Sequence, residues 1–187
     1  DRLDEMPFEL PLAGGDRPTG TVSPGAIADL LERHLAPGDP LAAYPPRLRG
    51  PGMVEALRGH LAGAIDLVAR LPGGEYAVID YKTNRLAPGP LTAFDYRPEA
   101  MAAEMVRAHY PLQALMYLVA LHRYLRWRVP GYDPARHLGG AGYLFMRGMI
   151  GAATPETPTG RCGVMWWRPP TALVPELSDL FDRGVAT

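Results

Sequence analysis

The chain has 187 residues, 47% of them apolar, with 19 basic and 20 acidic side chains for a formal net charge of −1. That length and apolar content suit one domain with its own core. The balanced charge excludes a free-standing, strongly basic nucleic-acid binder, whose affinity comes from neutralising phosphates. No run of eighteen uncharged apolar residues occurs, so no transmembrane helix is predicted. No basic-then-apolar leader opens the chain, which argues against secretion. Position 1 is Asp1 and not methionine, so a piece of a longer chain is expected. The single cysteine, Cys162, excludes an internal disulfide and any cysteine-based zinc or iron–sulfur site, and fits a cytoplasmic setting.

In chain order, Phe8 to Leu12 reads as a short strand. Ser23-Pro24 is a helix start, with serine as cap and proline at the first helical position. Ala26, Ile27, Leu30, Leu31 and His34 follow helical spacing, and Pro37-Gly38 stops the helix. Residues 37–51 are rich in proline and glycine and read as a surface loop. Gly59 to Leu71 and Glu75 to Tyr81 are predicted strands joined by the turn Pro72-Gly73-Gly74. Pro98 to His109 is a predicted helix. A second runs from Tyr110-Pro111 to about Val129, with Leu112, Leu115, Met116, Val119 and His122 or Arg123 as its stripe.

Ala141 to Met146 reads as a strand after Gly139-Gly140. Residues 154–160 are a polar loop, Gly163 to Trp167 a short edge strand, and Pro175 to Phe181 a closing helix. The order predicts an α/β fold of a sheet flanked by helices. No internal repeat and no second domain are read, so residues 1–187 are taken as one domain with a core at about 59–181.

Asp66, in Gly63-Ala64-Ile65-Asp66-Leu67-Val68, and Asp80, in Ala77-Val78-Ile79-Asp80-Tyr81-Lys82-Thr83-Asn84, stand fourteen positions apart. Each acid sits in an apolar run with strand character. Strand alternation puts Asp80 and Lys82 on one side and Tyr81 on the other. If the two runs pair as neighbours, Asp66 approaches the same spot. Taken singly, Asp66 is better explained as a strand-end residue satisfied by backbone amides, and Asp80-Tyr81-Lys82 as an exposed edge. Together they place charge at the border of an apolar layer, which is costly unless the charges are paired or metal-bound. Oxygen ligands suit Mg²⁺ or Mn²⁺, the ions of phosphodiester hydrolysis. Asp66, Asp80 and the backbone carbonyl of Tyr81 are the candidate metal ligands. Lys82 is the candidate for holding a water or stabilising charge on phosphorus, or else a surface lysine paired with Asp80. Gln113 and Tyr117, four apart on one helix face, are candidates for orienting water or phosphate and for a DNA-backbone contact, or else boundary residues hydrogen-bonded to solvent.

Gly-x-Ile-Asp-Leu-Val, then Ile-Asp-Tyr-Lys-Thr-Asn, then Tyr110-x-x-Gln113-x-x-x-Tyr117 resembles the RecB-type branch of the PD-(D/E)XK nucleases. The stretches Ala120 to Leu125, Gly139-Gly140 and Tyr143 to Gly148 extend the likeness, which covers about Gly59 to Phe181. The resemblance implies a restriction-endonuclease-like α/β core with a central mixed sheet. It implies Mg²⁺-dependent DNA cleavage, with Mn²⁺ as a substitute and Ca²⁺ able to fill the site without supporting cleavage. Its metal ligands fall on Asp66, Asp80 and the Tyr81 carbonyl, its catalytic lysine on Lys82, and its downstream motif on Gln113 and Tyr117.

The implied partners are DNA, RecC-like and RecD-like subunits and an attached RecB-type helicase region, which would supply the DNA that so neutral a domain binds weakly. The family's metal-binding histidine, on a helix before the first strand, is not assigned. His34 lies on a predicted helix without the family pattern, and His60 stands in a strand where an apolar residue is usual. Glu9 is an extra candidate acid. Two alternatives stay open: an AddA-type nuclease domain, and a non-catalytic nuclease-like scaffold that binds DNA or a partner subunit.

Overall fold

The computed structural model describes residues 1–17, 19–53 and 55–185. Strand β1 (Arg2–Leu12) leads to helix α1 (Pro24–His34), a 3-10 turn at Pro45–Arg49, and the strands β2 (Gly59–Arg70) and β3 (Tyr76–Lys82). Helices α2 (Pro98–Arg107), α3 (Tyr110–Arg128) and the short α4 (Pro134–His137) precede β4 (Leu138–Phe145). The two-residue strands β5 (Glu156–Thr157) and β6 (Gly160–Arg161) form a small hairpin before β7 (Val164–Trp167) and helix α5 (Leu173–Arg183). The main sheet has the order β1-β2-β3-β4-β7. Only the β3–β4 pairing is parallel in that sheet, the others being antiparallel. The sheet is therefore mixed, as expected.

Local chemistry accounts for most boundaries. The Ser23 hydroxyl accepts from the Ala26 N–H at 3.1 Å, with Pro24 at the first helical position of α1. The β2–β3 hairpin closes through Leu71 and Glu75, with Gly74 at φ +94°, a conformation glycine adopts without penalty. Parallel strands cannot be joined by a tight hairpin, so β3 reaches β4 by a crossover that carries α2 and α3. That crossover lays α3 against the sheet. One continuous core includes Ile65, Val68, Val78, Leu115, Leu118, Val119, Tyr143 and Phe181.

Three expectations change. The first strand is longer than Phe8 to Leu12, because β1 pairs with β2 from Arg2 onward. It is an edge strand, which is why Pro7 and Pro11 are tolerated and why its start is exposed and acidic. Residues 37–51 are not simply a surface loop: Leu41, Tyr44 and Leu48 are buried. The Tyr44 hydroxyl bonds His109 Nδ1 at 3.1 Å, so the segment fastens the α2–α3 junction. Helix α3 buries more than one stripe, including Ala114, Leu118, Leu121 and His122, because it lies between the sheet and α5. Among the described residues no helix is long and apolar enough to cross a membrane.

Candidate active site

Asp66 and Asp80 come from the two strands of the β2–β3 hairpin. That ladder runs from Arg70↔Tyr76 to Leu67↔Ile79 and stops, so the two acids face each other one step beyond its last pair. On its other edge β2 is also interrupted: the β1–β2 register skips Glu5 and Asp66, and Glu5 has φ +51°. Freed from both ladders, Asp66 is exposed, and its Oδ2 accepts the Tyr81 N–H at 3.1 Å. A residue's N–H and C=O face the same neighbour in an extended strand. The Tyr81 carbonyl is thereby directed to the Asp66 side, while its ring, 46% exposed, turns outward.

Asp80 differs sharply from Asp66. It is only 3% exposed, beneath the start of α3. Burial raises its pKa above the usual carboxylate range, and Asp66 adds to the rise, while Lys82 opposes it. Lys82 Nζ lies 2.7 Å from Asp80 Oδ2, an ion pair made obliquely, since among the described residues the buried Oδ2 has no hydrogen-bond partner. The ammonium instead makes its hydrogen bond to Gln113 Oε1 at 3.0 Å. Gln113 is held in turn: its Nε2 donates to the Tyr117 hydroxyl at 3.0 Å, and its Oε1 lies 3.2 Å from the Tyr143 hydroxyl. Tyr117 also packs edge-on to Phe8, with ring centroids 5.9 Å apart. Burial, and then the charge of Asp80, raises the Tyr117 pKa, so its hydroxyl is held in the protonated form.

All six sequence-predicted site residues thus meet in one region: Asp66, Asp80, Tyr81 and Lys82 on the hairpin, Gln113 and Tyr117 on α3. The other candidates do not. His34 pairs with Glu176 of α5 at 3.1 Å, and His60 faces Asp16 at 3.7 Å. Glu9 is exposed opposite Ala62, four residues along β2 from Asp66. Among the described residues no group of three His, Cys, Asp or Glu side chains could hold a metal ion.

Two site residues carried no role in the sequence reading. Tyr110 and Tyr143 wall the lysine, with Nζ 3.9 Å from the Tyr110 ring centroid and 5.3 Å from that of Tyr143. Tyr110 is three residues before Gln113 and shares its helix face, a signal legible in sequence. Tyr143 is aligned with Asp80 by the parallel β3–β4 register, which nothing local encodes.

The donor set fits a divalent cation. It offers two carboxylates of unequal burial, the more buried one with an oxygen that lacks a hydrogen bond, and a backbone carbonyl. A cation there would offset both the burial of Asp80 and its repulsion by Asp66.

The chain is 55% identical over 187 residues to RecBCD enzyme subunit RecB of Mycobacterium tuberculosis, covering 98% of this chain and 17% of that protein. The same-named subunit of Haemophilus influenzae is 45% identical over 127 residues, 68% of this chain and 10% of its own. That of Escherichia coli is 37% identical over 177 residues, 95% of this chain and 13% of its own. The chain therefore spans 10% to 17% of these relatives' lengths. A family match over residues 17–163 takes in every residue of the acid–lysine site, and the chain belongs to the PD-(D/E)XK nuclease superfamily, a class of divalent-metal-dependent enzymes.

Proposed function

We propose that this chain is the Mg²⁺-dependent nuclease module of a RecBCD-type helicase–nuclease, hydrolysing DNA phosphodiester bonds as an exodeoxyribonuclease V during double-strand break processing and recombinational repair. The observation that carries this reading is the convergence of Asp66, Asp80 and Lys82 at the open end of one hairpin, with Lys82 held against both Asp80 and Gln113. The RecB relatives support the assignment to that branch over an AddA-type domain. The presence of both acids and the lysine weighs against a non-catalytic scaffold.

Asp66, Asp80 and the Tyr81 carbonyl would hold the ion. Mg²⁺ would supply charge neutralisation at the scissile phosphate and lower the pKa of a bound water, Mn²⁺ would substitute, and Ca²⁺ would occupy the site without supporting cleavage. The chain's own groups divide the remaining work. Lys82 brings a fixed positive charge, and its ammonium can hold the attacking water or stabilise the phosphorane oxygens. Gln113 sets the direction of that ammonium through Oε1. Tyr117, tied to Gln113 and backed by Phe8, offers a hydroxyl at the rim for the DNA backbone. The near-neutral charge supports a division of labour in which a helicase region and RecC-like and RecD-like subunits deliver the DNA.

The test is release of label from fluorescent linear DNA in the presence of Mg²⁺, using the full-length protein in its complex. Intact protein should cleave, whereas Asp80→Ala and Asp66→Ala should each lose activity by at least about 100-fold, since each removes a metal ligand. Equal cleavage by the intact protein and Asp80→Ala would overturn the assignment.

A further inference from the structure

The surroundings of Lys82 point to a second layer of the site. The ammonium has three hydrogens and no acceptor. One goes to Gln113 Oε1 at 3.0 Å. The side turned to α3 lies on the face of Tyr110, 3.9 Å from the ring centroid, well inside the range of cation–π attraction. The side turned to Asp80 is held by charge alone, at 2.7 Å but off hydrogen-bonding geometry. Two directions are therefore firmly committed, and the one toward the acids is the least so. A water or phosphate oxygen arriving beside Asp80 meets the hydrogen that the amide and the ring leave over.

Tyr110 is itself braced. Its ring stacks on Tyr143, with centroids 5.8 Å apart and planes 20° off parallel. Its hydroxyl accepts from Asn84 Nδ2 at 3.0 Å and donates to Asn84 Oδ1 at 3.1 Å. Asn84 Nδ2 also reaches Glu104 Oε1 at 2.7 Å, and Glu104 is gripped by Arg107 through two contacts of 2.7 Å. Asn84 lies two residues beyond Lys82 on the same chain segment. The segment that carries the lysine therefore also carries the anchor of the ring that holds it.

We propose that Tyr110 is a positioning residue for cleavage: its ring face fixes the Lys82 ammonium toward Asp80, with Asn84 and Tyr143 fixing the ring. This rests on the nuclease reading above and adds a residue to it. Tyr110 touches neither acid in the contacts described, so its loss should reach the chemical step without reaching the ion or the DNA.

The experiment compares Tyr110→Leu and Tyr110→Phe in the full-length complex, measuring kcat and KM on linear DNA and the Mg²⁺ concentration for half-maximal rate. Tyr110→Leu should lower kcat about 5- to 30-fold, the worth of a partly desolvated cation–π contact, with KM and the Mg²⁺ requirement unchanged. Tyr110→Phe keeps the ring face but gives up the hydroxyl's anchor to Asn84, so its fall in kcat should be smaller than that of leucine. Pentafluorophenylalanine at position 110 keeps the shape of phenylalanine but drains the ring face of negative charge. It should lose kcat by about 5- to 30-fold, and it reads the ring face even where leucine disturbs the fold.

Unchanged kcat in the leucine or pentafluorophenylalanine protein would overturn the proposal. So would a phenylalanine variant as poor as leucine, or a loss expressed in KM or in the Mg²⁺ requirement. Lys82→Ala, run alongside, separates the two readings. If it cleaves normally the nuclease assignment of the site fails; if it is inactive while Tyr110→Leu is normal, only the positioning role fails.

Discussion

Lys82→Met removes the cation that, among the described residues, pairs with Asp80, a residue only 3% exposed. The thioether matches the lysine stem in length, so the main loss is the ammonium with its contacts to Asp80, Gln113 and the Tyr110 ring. Breaking a buried pair by deleting one partner costs about 3 to 5 kcal/mol. Here the lower end applies, because the contact is oblique and Asp80 Oδ2 already lacks a hydrogen bond. About 3 kcal/mol is expected near pH 8 without divalent ions, or a fall of about 1.5 M in the urea midpoint at a typical slope of about 2 kcal/mol per M.

The sign of the pH dependence follows from Asp80. Its pKa is raised by burial even with Lys82 present, and losing the lysine raises it further. A carboxyl whose folded pKa lies above its unfolded value of about 3.9 is at its least destabilising below that value, and loses stability as pH rises toward the folded pKa. The deficit of Lys82→Met should therefore shrink as pH falls toward 4, and adding Asp80→Asn should recover part of it at pH 8. The assay is urea unfolding of the 187-residue chain followed by tryptophan fluorescence at several pH values. A Lys82→Met midpoint equal to that of the parent at pH 8, or a deficit that does not change with pH, would refute this account of the site's electrostatics.

Two further outcomes bear on the frame around the site. Burial, reinforced by Arg126 and Arg123, pushes the pKa of His122 down to about 4. The unfolded state takes up its proton first, so stability is full above about pH 6.5 and falls as pH drops toward 4. His122→Leu should abolish about 2 kcal/mol of the stability difference between pH 7 and pH 5, read from urea midpoints at the two pH values. Gly142→Ala should cost about 1 to 3 kcal/mol, because the Cβ added on β4 would lie 2.8 Å from Ile79 Cδ1 and 2.9 Å from Trp166 Cζ3. A thermal midpoint unchanged from the parent would contradict that crowding.

The acid pair was legible because strand alternation and a short turn are local signals, and they suffice to bring Asp66 and Asp80 to one end of a hairpin. Gln113 and Tyr117 were legible from helix spacing. What escaped depended on non-local pairing. Tyr143 faces the site only because β4 runs parallel to β3, and β1 extends to Arg2 only because β2 supplies a partner for residues that look solvated alone. Tyr44 was lost in a stretch whose prolines and glycines read as surface, although its hydroxyl reaches His109 at the mouth of α3. The unequal burial of the two acids was equally hidden, since both sit in similar apolar runs and only the cover of α3 distinguishes them.

The crossover between β3 and β4 has an electrical consequence. It sets the first turn of a 19-residue helix, with Tyr110 and Gln113 on it, over the carboxyl end of β3. His109, at the cap position, offers no side-chain acceptor to the first amides, and the chain there turns left-handed at φ 57°. The start of α3, where a helix macrodipole is positive by roughly half an elementary charge, thus lies beside Lys82. A phosphate brought to the acids would feel this field although no side chain carries it. A formal charge count over the whole chain misses it, and so understates how hospitable this one corner is to an anion.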